Sequence, residues 1–488
     1  MNTHTPIFRN KIYAVVATLI AIVVNPSVGF AQPQFMSIHS FNGTDGFGPM
    51  AGVVQGDDGA LYGTTSGQVD NPIVGTVFRL DLATPGLTTL HYFADGSRPF
   101  SGLTLGSDGL LYGSTYTGGK ADLGTLFRVG PDGQNFASLY SFSGVDGARP
   151  DDLKLTQAGD GVFYGATSEG GPEGGGTLFR LDPATQVLTT MYSFSAVAGV
   201  DAGLVAGRDG FWYGTTYSGG ANGVGSVFRV DPSTFQLTTL YDFTGADGAN
   251  PVPGALMQSS DGNLYGTTQL GGNGTVFKLN PATLALTTLH VFSGINDGRF
   301  PLGGVTEGGD GYIYGTTVLG GQGYGTVYRV HPTTFGYNIV VWFGGTNGRS
   351  PSGNLFRASD GALYGVTRLG GSFNGGTVFR LSFADTTPPT ITSITASPSV
   401  LWPPNGRMVP VTLKVAAADA VDPAPRSRII GVTCNQRAAG YWMITGDLTL
   451  KLRAIRTGHA ARIYTITVQC TDASGNSALG TVNVTVPK

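Results

Sequence analysis

The sequence predicts an all-β protein, a seven-bladed β-propeller of four antiparallel strands per blade followed by a small β-sandwich. Three recurring marks point to the propeller. Tyr-Gly recurs at Tyr62, Tyr112, Tyr164, Tyr213, Tyr265, Tyr314 and Tyr364, at intervals of 49 to 52 residues. An aromatic followed by a basic residue recurs at Phe78, Phe127, Phe179, Phe228, Phe277, Tyr328 and Phe379. A third mark is the Phe that closes runs such as LTTLHYF, at Phe41, Phe93, Phe142, Phe194, Phe243, Phe292 and Phe343. Repeats of this period are the signature of propellers and related arrays.

Residues 102–142 show how one unit reads. GLTLGS is a first strand that ends in the turn Asp108-Gly109. LLYGSTY is a second strand, and the long glycine-rich loop TGGKADLG follows it. TLFRV is a third strand, GPDG a turn, and FASLYSF a fourth strand. Asp-Gly between short apolar runs signals a hairpin, because Gly accepts positive φ. The strands are rich in β-branched and aromatic residues. One such sheet cannot bury both faces, so the units are expected to stack radially, each covering the next. The Gly after each second-strand Tyr is expected to let a neighbouring backbone approach. The last unit stops at its third strand, with Leu381, while a fourth-strand mark stands alone at Phe41. Residues 35–41 are therefore expected to complete the seventh blade and close the ring, which removes an exposed sheet edge.

The domains read as a signal peptide over 1–31, the propeller over 32–384 and the sandwich over 385–488. Arg9 and Lys11 precede an apolar stretch over residues 12–24, too short for the ~20 residues that span a bilayer. Gly29 and Ala31 suit the −3 and −1 positions of a cleavage site, so the mature chain is expected to begin at Gln32. No later segment reads as a membrane span. The last part opens on the Pro-rich DTTPPTIT and ends on YTITVQCTDASGNSALGTVNVTV, whose alternation marks strands. It holds the only two cysteines, Cys434 and Cys470. In an oxidising compartment they are expected to pair, closing a loop of about 35 residues. Trp442 between them does not match antibody spacing, so only a sandwich is read.

Glycine is the compositional outlier, at 78 of 488 residues, without the strict three-residue period of collagen. Hydrophobic residues make up 41%, enough for packed cores, which excludes a disordered chain. Residues 32–387 carry 16 basic and 27 acidic groups, a net of about −11, whereas 388–488 carry 10 and 4, about +6. That asymmetry fits two domains, the basic one solvated or docked on an acidic surface.

The strings LYGTT, GGxxxxGTVFRLDP-like, LTTLYSF-like and DGANP-like, over residues 35–383, resemble the GloVer (Gloeo/Verruco) tandem repeat of bacterial exported proteins. The resemblance implies this architecture and an exported location: periplasm, cell surface or medium. It implies no activity and transfers no catalytic motif. Members often carry C-terminal anchors; none is read here, and a monomer without a transmembrane segment is expected. The last part, with LWPPN, VPVTLKVAAAD and IIGVTC, resembles a bacterial immunoglobulin-like or hyalin-repeat-like module.

A search for chemistry finds little. His39, His91 and His290 fall two residues before the fourth-strand Phe, where Tyr140, Tyr192 and Tyr241 stand in other units, so they read as packing residues. His331 replaces a turn Asp, and His459 lies in the last domain. No His pair has zinc-ligand spacing. The propeller has three Glu: Glu169, Glu173 and Glu307. A glycosidase needs two facing carboxylates, and sequence alone supplies no such pair. The glycine-rich loops, GGPEGGG above all, lack the helix and the Lys-Ser/Thr of a phosphate loop. The third-strand basic residues, one per unit in an acidic domain, read as partners for turn carboxylates such as Asp81, Asp182 and Asp231, not as a nucleic-acid stripe. No catalytic residue, cofactor or metal site is assigned.

A residue type present in every unit builds the unit; a ligand needs departures from the repeat. The long loops between second and third strands, and the connectors between units, are expected to open on one face. There the sequence varies: Tyr116, Lys120, Glu169, Glu173, Tyr217, Gln269 and Arg368 in the loops, and Arg98, Arg149, Arg299 and Arg349 in the connectors. The expected function is non-catalytic binding or adhesion, with polysaccharide or a cell-surface protein as partner. A carbohydrate-active hydrolase or lyase on the same scaffold, and a structural envelope or matrix component, are the alternatives.

Overall fold

The computed structural model describes residues 33–487, apart from 69–73, 85, 96, 152–153, 197–202, 253, 255, 384–387, 420–423, 437–440, 459 and 473. The signal-peptide reading and His459 lie outside the described residues. The chain is all-β: every regular element described is a strand. Among the described residues, seven sheets lie between Gln34 and Ser382, and two more begin at Thr390 and beyond. The first is typical, with strands Val54–Gln55, Leu61–Thr65, Thr76–Asp81 and Gly86–Tyr92 antiparallel in that order. In the seventh, Arg349–Arg357, Leu363–Leu369 and Thr377–Ser382 are followed by the N-terminal strand Gln34–Ser40, with Phe35 opposite Leu381 and Ser40 opposite Thr377.

The repeated residues explain the repeated sheet. Each second strand is buried on both faces, as in Leu61–Thr65, which suits its unbroken LYGTT character. The glycine in it makes room within its own sheet. A Cβ on Gly63 would sit 2.5 Å from Phe78 Cζ, and one on Gly113 2.6 Å from Phe127 Cζ. Gly63 and Phe78 are register partners on adjacent strands. The expected role for this glycine, close approach of a neighbouring backbone, is corrected: an aromatic ring from the next strand occupies the space.

Among the described residues, apolar clusters join each sheet to the next, and one more joins the first to the seventh. Tyr62, Val77 and Phe93 of the first pack with Leu103, Leu111 and Phe127 of the second. Leu61 and Phe78 of the first pack with Tyr364, Val366 and Val378 of the seventh. One polar bond recurs across these junctions. Gln157 Oε1 accepts from Ser107 N at 2.8 Å, and Gln258 Oε1 from Arg208 N at 2.9 Å. Gln55 Oε1 accepts in the same way from Ser359 N at 2.8 Å, between the first and seventh sheets.

The last part is two sheets over one core. One orders Thr390–Ser397, Met408–Ala418, Thr449–Arg453 and Trp442–Gly446; the other orders Arg426–Cys434, Arg462–Thr471 and Ser477–Val486. Val411, Leu413, Leu450 and Leu452 of the first face Tyr464, Ile466, Val468 and Val484 of the second. The expected disulfide is not formed: Cys434 and Cys470 are both free thiols. Strand register is the reason. Cys434 lies opposite Tyr464, whereas Cys470 lies opposite Ser427 at the other end of the same pair. Six residues along a strand are roughly 20 Å, far beyond disulfide reach. Cys470 Sγ instead meets Ser427 Oγ at 2.8 Å.

Candidate ligand-binding face

Two local devices hold the long loops. The first ties the end of each second strand to the start of the third. Thr65 and Thr76 hydroxyls are 2.7 Å apart, and Thr115–Thr125 and Thr367–Thr377 repeat the bond at 2.8 Å. The second is the connector pattern Asp-Gly-x-X-Pro. Its proline packs on the glycine that opens the third strand of the preceding sheet. A Cβ on Gly124 would lie 2.6 Å from Pro150 Cδ, and one on Gly225 2.5 Å from Pro251 Cδ. The residue before the proline is left-handed at Arg149 (φ 56), Asn250 (φ 54), Phe300 (φ 54) and Ser350 (φ 54). That conformation is uncommon outside glycine. It is held by bonds on both sides: Arg149 N donates to Leu123 O at 2.8 Å, and Arg149 O accepts from Ser168 N at 3.1 Å.

These devices place the pre-proline side chain beside the residue that follows a second strand. Tyr116 N donates to Arg98 O at 2.7 Å. Tyr116 stacks on Phe100 with centroids 5.1 Å apart. The Arg149 guanidinium lies 5.0 Å from the Tyr116 ring centre and donates to Tyr116 O at 3.3 Å. Arg98, Tyr116 and Arg149 thus form one cluster. A second joins Tyr217, whose hydroxyl meets Gln269 Oε1 at 2.7 Å, to Asn250, which donates to Tyr217 O at 3.0 Å. Arg368 holds the corresponding place in the seventh unit and is exposed.

The other predicted residues lie elsewhere in the loops. Lys120 N donates to Ser141 Oγ at 2.8 Å and Glu173 N to Ser193 Oγ at 3.3 Å, beside fourth strands, and both side chains are exposed. Glu169 is bonded through its backbone to Ala148 and is also exposed. Arg299 and Arg349 stand one residue before the pre-proline position, which Phe300 and Ser350 occupy. The residues missed were Phe100 and Asn250; their places on either side of the connector proline carried their signal. Two more stand just before the first strands, where Gly52, Gly102, Gly203 and Gly304 recur and Lys154 and Asn354 depart from glycine. Asn354 accepts from Gly304 N at 2.5 Å and donates to Gly254 O at 3.1 Å. Lys154 keeps exposed surface, yet surrounding protein desolvates its ammonium and pushes it below the ordinary lysine range.

The opposite ends of the sheets repeat one Tyr–Asp arrangement in six of the seven units. Tyr62 Oη donates to Asp58 at 2.8 Å, and Arg79 donates to the same carboxylate at 2.9 Å. The Tyr–Asp bond recurs at Tyr112–Asp108, Tyr213–Asp209, Tyr265–Asp261, Tyr314–Asp310 and Tyr364–Asp360. Burial, then the Asp58 carboxylate, pushes the Tyr62 hydroxyl up to about 12. The expected pairing of third-strand arginines with Asp81, Asp182 and Asp231 is corrected. Among the described ion pairs only Arg79 reaches one of these, Asp81, at 3.5 Å. Those carboxylates cap their own turns, as Asp182 does at Ala184 N (2.9 Å), so the first-turn Asp is the main partner. His331 plays the same part through Nδ1, which accepts from Thr334 N at 3.2 Å.

Among the described residues no group of three or more His, Cys, Asp or Glu could hold a metal, and no helix is long and apolar enough to cross a membrane. The fold and its rim define an all-β tandem-repeat protein. The Gloeobacter/Verrucomicrobia repeat profile matches residues 27–206 and 200–410, and the chain belongs to that family. Comparison with curated protein sequences gives no match. Among solved structures, the chain is similar to a fungal alcohol oxidase of the AA5 family in complex with copper, at 13% identity and a TM-score of 0.52, covering 94% of this chain and 100% of that one. This likeness concerns the fold alone. The extracellular domain of a B. thetaiotaomicron hybrid two component system matches at 13% identity and a TM-score of 0.48, over 93% of this chain. The match spans 57% of that domain's length.

Proposed function

We propose that the protein is an exported, non-catalytic binding module that recognises polysaccharide through the long-loop face of a closed seven-bladed β-propeller. The last 104 residues (385–488) are, on this reading, an immunoglobulin-like sandwich. The recurring Gln-to-backbone bond, present between the first and seventh sheets as between others, supports closure. The observation that carries the function is the contrast between the two ends of the sheets. One end repeats a Tyr–Asp pair in six of the seven units. The other presents clusters that differ, Arg98–Phe100–Tyr116–Arg149 and Tyr217–Asn250–Gln269. Aromatic rings beside amide and guanidinium donors suit the apolar faces and hydroxyls of sugars.

The test is retention of the mature protein on a panel of bacterial and plant polysaccharides, with released reducing or unsaturated ends assayed in parallel. Retention without release, weakened by combined alanine changes at Tyr116, Tyr217 and Arg368 in a folded protein, is the expected result. Release would replace this reading with a hydrolase or lyase. Retention untouched by the triple change would place binding on another face.

A further inference from the structure

In the C-terminal part, a guanidinium occupies a core position. Alternate residues of the strand Arg462–Thr471 face inward: Arg462, Tyr464, Ile466, Val468 and Cys470 are all buried. Arg462 is 0% exposed and heads the largest fully buried side chains described. Its Nε donates to Gln436 Oε1 at 3.2 Å, but among the described residues Nη1 and Nη2 have no acceptor. Its guanidinium carbon lies 4.5 Å from the Tyr441 ring centre and 5.9 Å from that of Tyr464. The Tyr464 hydroxyl, close enough to feel this charge, donates to Arg453 O at 2.8 Å.

Two more arginines lie nearby, Arg453 on the same tyrosine and Arg456 beside Thr457, whose N donates at 3.1 Å to the Gln436 Oε1 that Arg462 Nε also reaches. Arg453 Cζ is 5.7 Å from the Tyr441 ring centre. Arg456 Nη1 donates to Gly458 O at 2.6 Å. The Nε of Arg453 and that of Arg456 are also buried without an acceptor. Among the described residues every ion pair lies before residue 381, so none involves these three. Residues 388–488 hold 10 basic and only 4 acidic groups, which leaves few internal counter-charges. An arginine stays charged, and a buried charge without a partner is strongly unfavourable.

We propose that Arg453, Arg456 and Arg462 form an oxyanion-binding site, walled by Tyr441, for a ligand that carries a carboxylate, sulfate or phosphate group. The planar guanidinium offers two parallel N–H donors to such a group, and the two terminal nitrogens of Arg462 are the unused ones. Tyr441, Arg453 and Arg456 are each partly exposed. This site is separate from the long-loop face and does not depend on the function proposed for it.

The test is calorimetric titration and thermal denaturation of the whole mature chain in inorganic phosphate, inorganic sulfate or glucuronate, against chloride at matched ionic strength. At least one oxyanion is expected to bind saturably and raise Tm above the chloride value. Phosphate alone would mark a phosphate ligand, and glucuronate alone the carboxylate of an acidic sugar. Arg456→Gln is expected to weaken binding about tenfold or more. Arg462→Met is expected to raise Tm in chloride, because it removes the unpaired charge, and to abolish the oxyanion-dependent rise. Should Arg462→Met not fold, Arg456→Gln carries the test. No saturable binding by any of the three anions, or binding undiminished in the variants, would overturn the site.

Discussion

The Tyr328 hydroxyl stands against Gly315, on the adjacent strand, where six other units place a phenylalanine edge. The ring is fully buried, and among the described residues its hydroxyl has no hydrogen-bond partner. Burial drives its ionisation far above the usual tyrosine range. A buried unsatisfied hydroxyl costs about 1–3 kcal/mol. Tyr328→Phe restores the residue used in the other units and is expected to raise Tm. An unchanged or lower Tm would mean that the hydroxyl is satisfied.

Alanine at the Tyr-Gly glycine meets the opposite difficulty. A Cβ on Gly63 has no free volume beside Phe78, whereas nothing lies within 4 Å of a Cβ on Gly109. Gly109 has φ 77, so alanine there carries only the left-handed penalty of about 1–2 kcal/mol. Gly63→Ala displaces a packed ring and is expected to cost more, about 3 kcal/mol. Urea denaturation of the two variants checks the order.

The repeated Tyr–Asp–Arg set differs in burial between units. The side chains of Arg329 and Asp310 are 6% and 4% exposed, and those of Arg380 and Asp360 30% and 37%. Removing one partner of a buried pair costs about 3–5 kcal/mol, while exposed pairs contribute about 0–1. Asp310→Asn is therefore expected to destabilise severalfold more than Asp360→Asn. Equal losses in chemical denaturation would refute the contrast.

Three histidines make stability depend on pH. Burial lowers the pKa of His39, His91 and His290, and nearby Asp45, Asp95 and Asp297 offset this only in part. The folded state keeps them neutral, while the unfolded chain takes up protons as pH falls through about 6.5. Stability is expected to be complete above that value and to fall below it. Replacing all three with glutamine should flatten the Tm profile between about pH 7 and pH 5; an unaltered profile would assign the acid sensitivity to carboxylates.

Cys434 and Cys470 are predicted to stay reduced in the folded protein. A reducing agent should leave Tm unchanged, and two thiols should titrate after unfolding. A drop in Tm on reduction would require the strand register between residues 426–434 and 462–471 to differ from that described.

Much of the strand pattern was legible because short-range chemistry specifies it. Asp-Gly turns, the alternation in 462–471 and the Phe marks each act over a few residues, and recurrence made them unmistakable. The aromatic–basic mark fell correctly on every third strand. Partner choice was not legible in the same way. Arg79 has Asp81 two residues away in sequence, yet bonds more closely to Asp58 across the strand pair. The cysteines, 36 residues apart, are separated by register, which spacing alone does not reveal.

The candidate sites divide in the same way. Departure from the repeat singled out Tyr116, Tyr217, Gln269, Arg98 and Arg149 before any geometry was known. It could not show that Tyr116 and Arg149 meet, because they come from different units and only the packing of Pro150 on Gly124 brings them together. Nor could it show that Arg462 lies in the core, since an arginine that opens a strand is ordinarily solvated. The sequence by itself determined the period, the strands and the turn chemistry, because these follow from local propensity. The tertiary structure decided which side chains share a site and which charges lose water, because both depend on residues far apart along the chain.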